Sequence, residues 1–474
     1  MTKQSLLFCA SEVYPFAKTG GLADVAYALP KELSKSYGVD VVLPLYQSID
    51  RNKFGIKKLS QSCKIKLDEK THIIELYATV MEGIGYIFVY TPILCDREFL
   101  YGTPSSGYED NHIRFALLNY AIVDLIRSSK YDIVHCNDWQ TALVPLLLDQ
   151  EKIDGIKTVF TIHNLAFQGI FSYQAFQKIG ISEKYFTMEC LEFYGQINFM
   201  KAAICYADLV TTVSPSYAQE ILTHEFGCGL EGYLTHYKEK LHGILNGLDI
   251  DFFTPKTDLF LSYPFETLTQ KNLNKKEFLK KTSLKGIKKP LFVFVGRMTN
   301  QKGIELLIEV LEDLGNENCN VAILGDGNEY YTKELLNLTQ KYKNIDCRFT
   351  YDEKLSHQLY ASGDFFLMPS LFEPCGLTQM ISMRYGAIAV VHSVGGLKDS
   401  VFDYKKFDTN SPKGYGIVFT QPTKEAFLDA ITQAFDLYAT KKEYNKIVKH
   451  NMNCDFSWEE SAKLYINLYN QIKG

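Results

Sequence analysis

No stretch of this sequence approaches the roughly 18 uninterrupted apolar residues that a membrane-spanning helix needs. The early apolar run Leu6-Leu7-Phe8 is too short for a secretory signal. These absences predict a cytoplasmic protein without membrane contact. Neither sign of charge dominates: 50 Lys and Arg stand against 55 Asp and Glu, a net charge of −5. Such a balance excludes a field that gathers nucleic acid or anionic lipid and favours a neutral binding partner. The 11 cysteines include no Cys-x-x-Cys pair or zinc-finger cluster, so they read as reduced core thiols without a disulfide framework or metal site. Low-complexity tracts, short repeats and coiled-coil heptads are also missing. The P-loop string Gly-x-x-x-x-Gly-Lys-Ser/Thr is absent, which excludes a P-loop kinase. No Gly-x-Gly-x-x-Gly with an acidic ribose partner follows the first apolar run, which argues against a dinucleotide-dependent dehydrogenase.

What is present is the pattern of an α/β protein. At 474 residues the chain exceeds the roughly 250–300 at which one core splits into domains. Short apolar runs at residues 5–10, 39–43, 133–135, 158–162 and 208–213 are each followed by a polar or glycine-rich loop and a helical pattern. The series restarts at 291–295, 321–324, 364–368 and 388–391. Buried parallel strands with crossover helices have this signature. A loose stretch beginning at Asn246-Gly247-Leu248-Asp249 separates the halves. It predicts domains over 1–245 and 246–456, with a terminal helix over 457–474 that must dock somewhere. That helix opens with capping-box spacing at Ser457 and Glu460 and continues through Leu464, Ile466 and Leu468. The lysine-rich segment 271–289, with Leu273, Phe278 and Leu284, reads as a solvated amphipathic helix without function. The 31 Tyr and 31 Phe are core material first and sugar-stacking surfaces second.

In open parallel sheets, ligands bind beyond the carboxyl ends of the strands, so the residues after each run are the candidates. Lys18-Thr19-Gly20-Gly21-Leu22-Ala23-Asp24 places a glycine pair at a helix start, where amides and partial positive charge suit a phosphate; a purely conformational turn reads equally well. His135-Cys136-Asn137-Asp138-Trp139 and His163-Asn164 put hydrogen-bonding groups at two strand mouths, with Trp139 able to stack on a sugar; either histidine alone reads as structural. Arg297 and Lys302, five residues apart around a helix start, suit a leaving diphosphate. In Glu373-Pro374-Cys375-Gly376-Leu377-Thr378-Gln379, Glu373 either accepts from sugar hydroxyls or caps the helix it precedes, and the amides of Gly376, Leu377 and Thr378 face a phosphate. Cys375 lacks the His and Asn partners of a thiol nucleophile and reads as packing. Gly325-Asp326-Gly327 and Gly395-Gly396 follow two further strands.

Together with Val213-Ser214-Pro215 and Leu245-Asn246-Gly247-Leu248-Asp249, these strings resemble, in order and over nearly the whole chain, the family of bacterial glycogen synthases and plant starch synthases. The resemblance implies a GT-B fold, two Rossmann-like domains facing a central cleft, with the last helix crossing back to the N-terminal domain. It implies retaining transfer of glucose from ADP-glucose or UDP-glucose to the non-reducing 4-hydroxyl of an α-1,4-glucan such as glycogen, without metal or cofactor. The N-terminal domain would carry the acceptor and the C-terminal domain the donor. Residue by residue, it implies that Gly20, Gly21, Arg297, Lys302 and Thr378 hold the diphosphate. His163, Asn246, Glu373, Cys375 and Gly376 would surround the donor glucose, and Leu377 would also bind the donor. Lys18, Tyr101, Asp138 and Trp139 would line its meeting with the acceptor, and Tyr351 would stack on the base. His163, Glu373, Arg297, Lys302 and Lys18 would carry the chemistry.

Related transferases place a second acid eight positions after the first; Ile381 stands there, which argues against a two-carboxylate double displacement. A front-face reaction fits better, with the leaving phosphate as base and the His163 carbonyl beside the anomeric carbon. The rival readings are a GT-B transferase with a small or lipid acceptor and a non-catalytic glucan-binding relative.

Overall fold

The computed structural model describes residues 3–103 and 106–472. The chain divides into two units. The first takes residues up to Val213, Ala218–Asn246 and Trp458 onward; the second takes Ser214–Tyr217 and Gly247–Ser457.

In the first unit, strands β1 (Ser5–Cys9), β2 (Gly38–Pro44), β3 (Lys57–Leu67), β4 (Lys70–Met81), β5 (Ile84–Tyr90), β6 (Ile133–Asn137) and β7 (Lys157–Ile162) come first. A small three-stranded sheet follows, β8 (Ile170–Phe171), β9 (Glu192–Phe193) and β10 (Gln196–Asn198), and then β11 (Leu209–Thr212) and β12 (Leu241–Gly243). The main sheet has the order β12-β11-β7-β6-β1-β2-β5-β4-β3. From β12 to β5 it is parallel. Leu6, Leu7, Phe8 and Cys9 are wholly buried, as a strand covered on both faces must be. The antiparallel pairs β3/β4 and β4/β5 escape the sequence reading. Their two-residue turns, Asp68-Glu69 and Glu82-Gly83, have positive φ at every position yet lack the usual Asn-Gly cue.

The second unit holds β13 (Leu291–Val295), β14 (Asn320–Gly325), β15 (Ile345–Phe349), β16 (Phe365–Met368), β17 (Ile388–His392), β18 (Phe402–Asp403) and β19 (Tyr415–Phe419). Their order is β15-β14-β13-β16-β17-β19-β18, all parallel. Strand order reverses at β1, between β2 and β6, and at β13, between β14 and β16. In open α/β sheets the ligand crevice lies at such switch points, so the loops after β1, β6, β13 and β16 take priority.

Two expectations about helices need correction. The terminal helix runs Trp458–Gln471; residues 473 and 474 of the expected span lie outside the described residues. It packs on the helix Gly21–Leu33 through Trp458, Ala462, Tyr465, Leu468 and Tyr469, while Leu464 is 50% exposed. The apolar face follows i, i+4, i+7, i+10 and i+11 spacing, which Leu468 shares and residues 464 and 466 do not. In the helix Leu268–Lys280, Lys271 and Lys275 are buried and Leu273 is 43% exposed, so it is not a solvated lysine face. Lys275 Nζ lies 2.5 Å from Asp364 Oδ2. Lys271 Nζ donates to Ala361 O at 2.8 Å, among the unsatisfied carbonyls ending the helix Glu353–Ser362. No helix among the described residues is long and apolar enough to cross a membrane.

Candidate functional site

In the first unit, β6 and β7 deliver adjoining loops. Asp138, with φ of +55°, is a bulky residue in left-handed backbone, a strain that persists where surrounding contacts hold it. Its Oδ1 accepts the His163 N–H at 2.8 Å, and the Asn164 N–H also donates to the carboxylate. Burial pushes the Asp138 carboxyl up to about 7. His163 Nε2 lies 2.9 Å from Asn137 Oδ1, an oxygen that only accepts, so Nε2 carries the proton. Burial pushes this imidazole down to about 3, which keeps it neutral. The His163 carbonyl accepts no hydrogen bond among the described residues, leaving a negative dipole at the strand mouth.

Beside them, Tyr101 OH lies 2.7 Å from Ser11 Oγ, on the loop after β1. Lys18 pairs with Asp24 at 2.7 Å. The glycine pair opens the helix Gly21–Leu33 with Gly20 at its N-cap, but the amides of Thr19 and Gly20 already donate to the buried carboxylate of Glu12. Those two amides are not open to a phosphate, and helix-start amides remain only from Gly21 onward. Trp139 is half-buried. Phe115, Phe171 and Phe199 pack around its ring, and a Cβ on Gly169 would come within 2.7 Å of it. Its contacts are those of a packing residue. Asn246 is buried, and its Oδ1 accepts no hydrogen bond among the described residues.

In the second unit, the loops after β13 and β16 meet. Lys302 Nζ lies 2.5 Å from Glu373 Oε2, which also accepts Ser370 Oγ–H at 3.0 Å. Gly303 makes this meeting possible. Its φ is +67°, and an added Cβ would lie 2.0 Å from the Pro369 carbonyl, so any side chain there drives the lysine loop off the glutamate loop. Glu373 is not a helix cap, because the following helix begins at Thr378 with Leu377 as N-cap. Cys375 is buried, and Gly396 packs so closely that an added Cβ would come within 2.1 Å of its carbonyl, which supports the packing role. Gly376, Leu377 and Thr378 are half-buried. Arg297 is exposed and has no carboxylate partner among the described residues. Tyr351, 72% exposed, stands in the loop after β15.

Glu12 was missed from the sequence, and Asn137 and Ser370 carried no role of their own there, because each acts through a neighbour seen only in three dimensions. Among the described residues no group of three or more His, Cys, Asp or Glu could hold a metal ion.

His135 is also buried, between Tyr469 OH at 2.7 Å and Thr161 Oγ1 at 2.6 Å, and burial pushes it down to about 3. Because the fold disfavours its charged form, the stability it contributes is present above its ordinary pKa of about 6.5 and is lost as pH falls toward 3. Asp138, pushed upward, has the opposite slope. Urea unfolding should therefore show His135→Gln losing about 2–3 kcal/mol less than wild type between about pH 7 and pH 4.5. Parallel pH profiles would show that His135 is not held neutral.

Comparison with known proteins agrees with this geometry. The chain matches the family "Starch synthase catalytic domain" over residues 5–236 and "Glycosyl transferases group 1" over residues 275–451. It is 43% identical to a glycogen synthase of Aquifex aeolicus over 99% of both chains, and 41% identical to one of Geotalea daltonii over 98% of both. It superposes on the catalytic domain of starch synthase IV from Arabidopsis thaliana, bound to ADP and acarbose, with a TM-score of 0.92 and 31% identity over 100% of both chains. A strand order with two switch points, a cationic loop seated on a glutamate and full-length likeness to these enzymes lead to one assignment: the chain is a glycosyltransferase of GT-B fold and belongs to the glycogen synthase and starch synthase family.

Proposed function

We propose that the chain is a glycogen synthase that transfers glucose from ADP-glucose, with retention, to the non-reducing 4-hydroxyl of an α-1,4-glucan. The observation that carries this reading is the Lys302–Glu373 pair with Arg297, which has no carboxylate partner among the described residues, on the same loop. Two cations held after β13 are suited to the charge that grows on a departing diphosphate, and they take the part a metal ion plays elsewhere. Support for the adenine nucleotide comes from the Arabidopsis starch synthase, whose structure holds ADP and acarbose; UDP-glucose is the alternative donor.

In the reaction, the bond from the anomeric carbon to the diphosphate breaks while a bond to the acceptor 4-oxygen forms on the same face. The acceptor proton passes to the leaving phosphate oxygen. Arg297, Lys302, Thr378 and the amides of Gly376 and Leu377 bind the diphosphate, with Gly21 and Lys18 contributing from the first unit. Glu373, Asn246 and His163 hold the donor glucose by its hydroxyls. The His163 carbonyl faces the developing oxocarbenium charge, and neutral His163 leaves that dipole uncancelled. Tyr101 and Asp138 meet the acceptor, and Tyr351 stacks on the base. The donor assignment falls to residues 246–456, and the acceptor assignment to 1–245 with the terminal helix.

Initial rates with each nucleotide sugar, using glycogen and a maltooligosaccharide as acceptors, test this. ADP-glucose should exceed UDP-glucose by about tenfold or more in kcat/KM, a difference of at least about 1.4 kcal/mol in transition-state binding. Nucleoside diphosphate release that does not depend on the glucan would overturn the acceptor assignment.

A further inference from the structure

Glu12 belongs to none of the motifs that the proposed reaction uses, yet it is among the most buried acids of the first unit. Its carboxylate accepts the Thr19 N–H, the Thr19 hydroxyl at 3.0 Å and the Gly20 N–H. These bonds close a loop of eight residues on itself. Inside it, Phe16 and Ala17 donate to the Val13 carbonyl at 2.9 and 3.0 Å, and Tyr14 N–H reaches Ala23 O at 3.0 Å. Lys18 therefore sits between two pinned neighbours, Ala17 held by Val13 and Thr19 held by Glu12. The lysine ammonium is held separately, by Asp24 at 2.7 Å. A carboxylate that spends its lone pairs on backbone and hydroxyl donors of one turn has little left for substrate; what it determines is where that turn lies.

We propose that Glu12 is a positioning residue for the transfer reaction: by anchoring Thr19 and Gly20 it sets the pose in which Lys18 and the helix start at Gly21 meet the donor. This rests on the reading that Lys18 contacts the donor. The role demands reach more than charge. Glu12→Gln keeps a carbonyl oxygen at the same distance, whereas Glu12→Asp keeps the charge but withdraws the acceptor by one methylene.

The test is a kinetic comparison of Glu12→Gln, Glu12→Asp, Lys18→Ala and the Glu12→Asp/Lys18→Ala double variant, with thermal unfolding of each. Displacing a catalytic group by about 1 Å costs on the order of 100-fold. Glu12→Asp should accordingly lose about 10- to 100-fold in donor kcat/KM with an unchanged KM for glycogen. Glu12→Gln should lose less than Glu12→Asp, because its one amide oxygen still reaches the two Thr19 donors that both bond Oε2, while only the Gly20 N–H goes without an acceptor. Combined with Lys18→Ala, Glu12→Asp should add less than about threefold, since two residues acting through one group are not additive. Additive losses, or a Gln variant impaired more than the Asp variant, would overturn the proposal while leaving the assignment of Lys18 intact. A Glu12→Asp variant with lowered Tm and wild-type kinetics would make the role purely structural and also overturn it. Wild-type turnover in Lys18→Ala would refute the assignment of Lys18 and this proposal with it.

Discussion

Replacing Lys302 by Ala is expected to lower kcat with ADP-glucose and glycogen by about 100- to 1000-fold, the scale seen when one preorganised charge-stabilising group is removed. The ammonium stands 2.5 Å from Glu373 Oε2, with 17% and 6% of the two side chains exposed. It is thus partly desolvated before any diphosphate arrives, and its interaction with developing negative charge is correspondingly strong. Glu373→Ala is expected to fall by a similar factor for two reasons. It loses the acceptor proposed for sugar hydroxyls, and it releases Lys302 from its seat. Both variants should keep wild-type far-UV circular dichroism, because the pair sits on loops after β13 and β16 and not in the sheet. Each single change leaves one charge without its partner, so a stability loss of about 1–3 kcal/mol accompanies it. Glu373→Gln, which retains the bond from Ser370, should lose less stability than Glu373→Ala while remaining slow. Turnover within about threefold of wild type in both alanine variants would remove the mechanism, since that is less than about 0.7 kcal/mol of transition-state binding.

The largest effect on stability is expected at a residue with no part in catalysis. Lys275 and Asp364 pair at 2.5 Å with 2% and 7% of their side chains exposed. The same Asp364 carboxylate accepts the Leu291 N–H at 2.8 Å and the Tyr444 hydroxyl at 3.3 Å. It therefore ties the starts of β13 and β16 to the helices around them. Lys275→Ala strands that carboxylate in the interior, at a cost of about 3–5 kcal/mol. At about 2–4 °C per kcal/mol for a unit of this size, Tm should fall by roughly 6–20 °C. Calorimetry should place the loss in the transition of the second unit, and KM and kcat measured well below that transition should not change. Adding Asp364→Leu to Lys275→Met should recover much of the loss, because replacing both charges by apolar groups removes the uncompensated ion. A fall of less than about 2 °C in Lys275→Ala would mean that water reaches the carboxylate and screens it.

Lys275 also shows where reading the sequence went astray. A run of lysines among scattered leucines has the composition of a wet helix, and periodicity alone places Leu273 on its apolar face. The tertiary structure instead turns Lys271 and Lys275 inward, toward the helix-terminal carbonyls and Asp364, because the desolvation of an ammonium is compensated where several acceptors converge. The glycine pair went astray similarly. Gly20-Gly21 does open a helix, but an acid eight residues before Gly20 already takes the Gly20 amide and leaves only the Gly21 amide of the pair for a phosphate. Trp139 is half-buried, and nothing in the sequence showed that Phe115, Phe171 and Phe199 pack against it.

The amino-acid order by itself determined the fold class, the buried strands, the helix starts after them and the family, because apolar periodicity and the strings around Lys18, His163, Lys302 and Glu373 are local properties of the chain. Only the tertiary structure decided which cation meets which carboxylate, which amides stay open and which polar atoms, such as Asn246 Oδ1, are buried without a partner among the described residues. Those outcomes depend on close approaches between segments as far apart as Gly303 and Pro369, and on burial, which raises the stakes of every charge that it encloses.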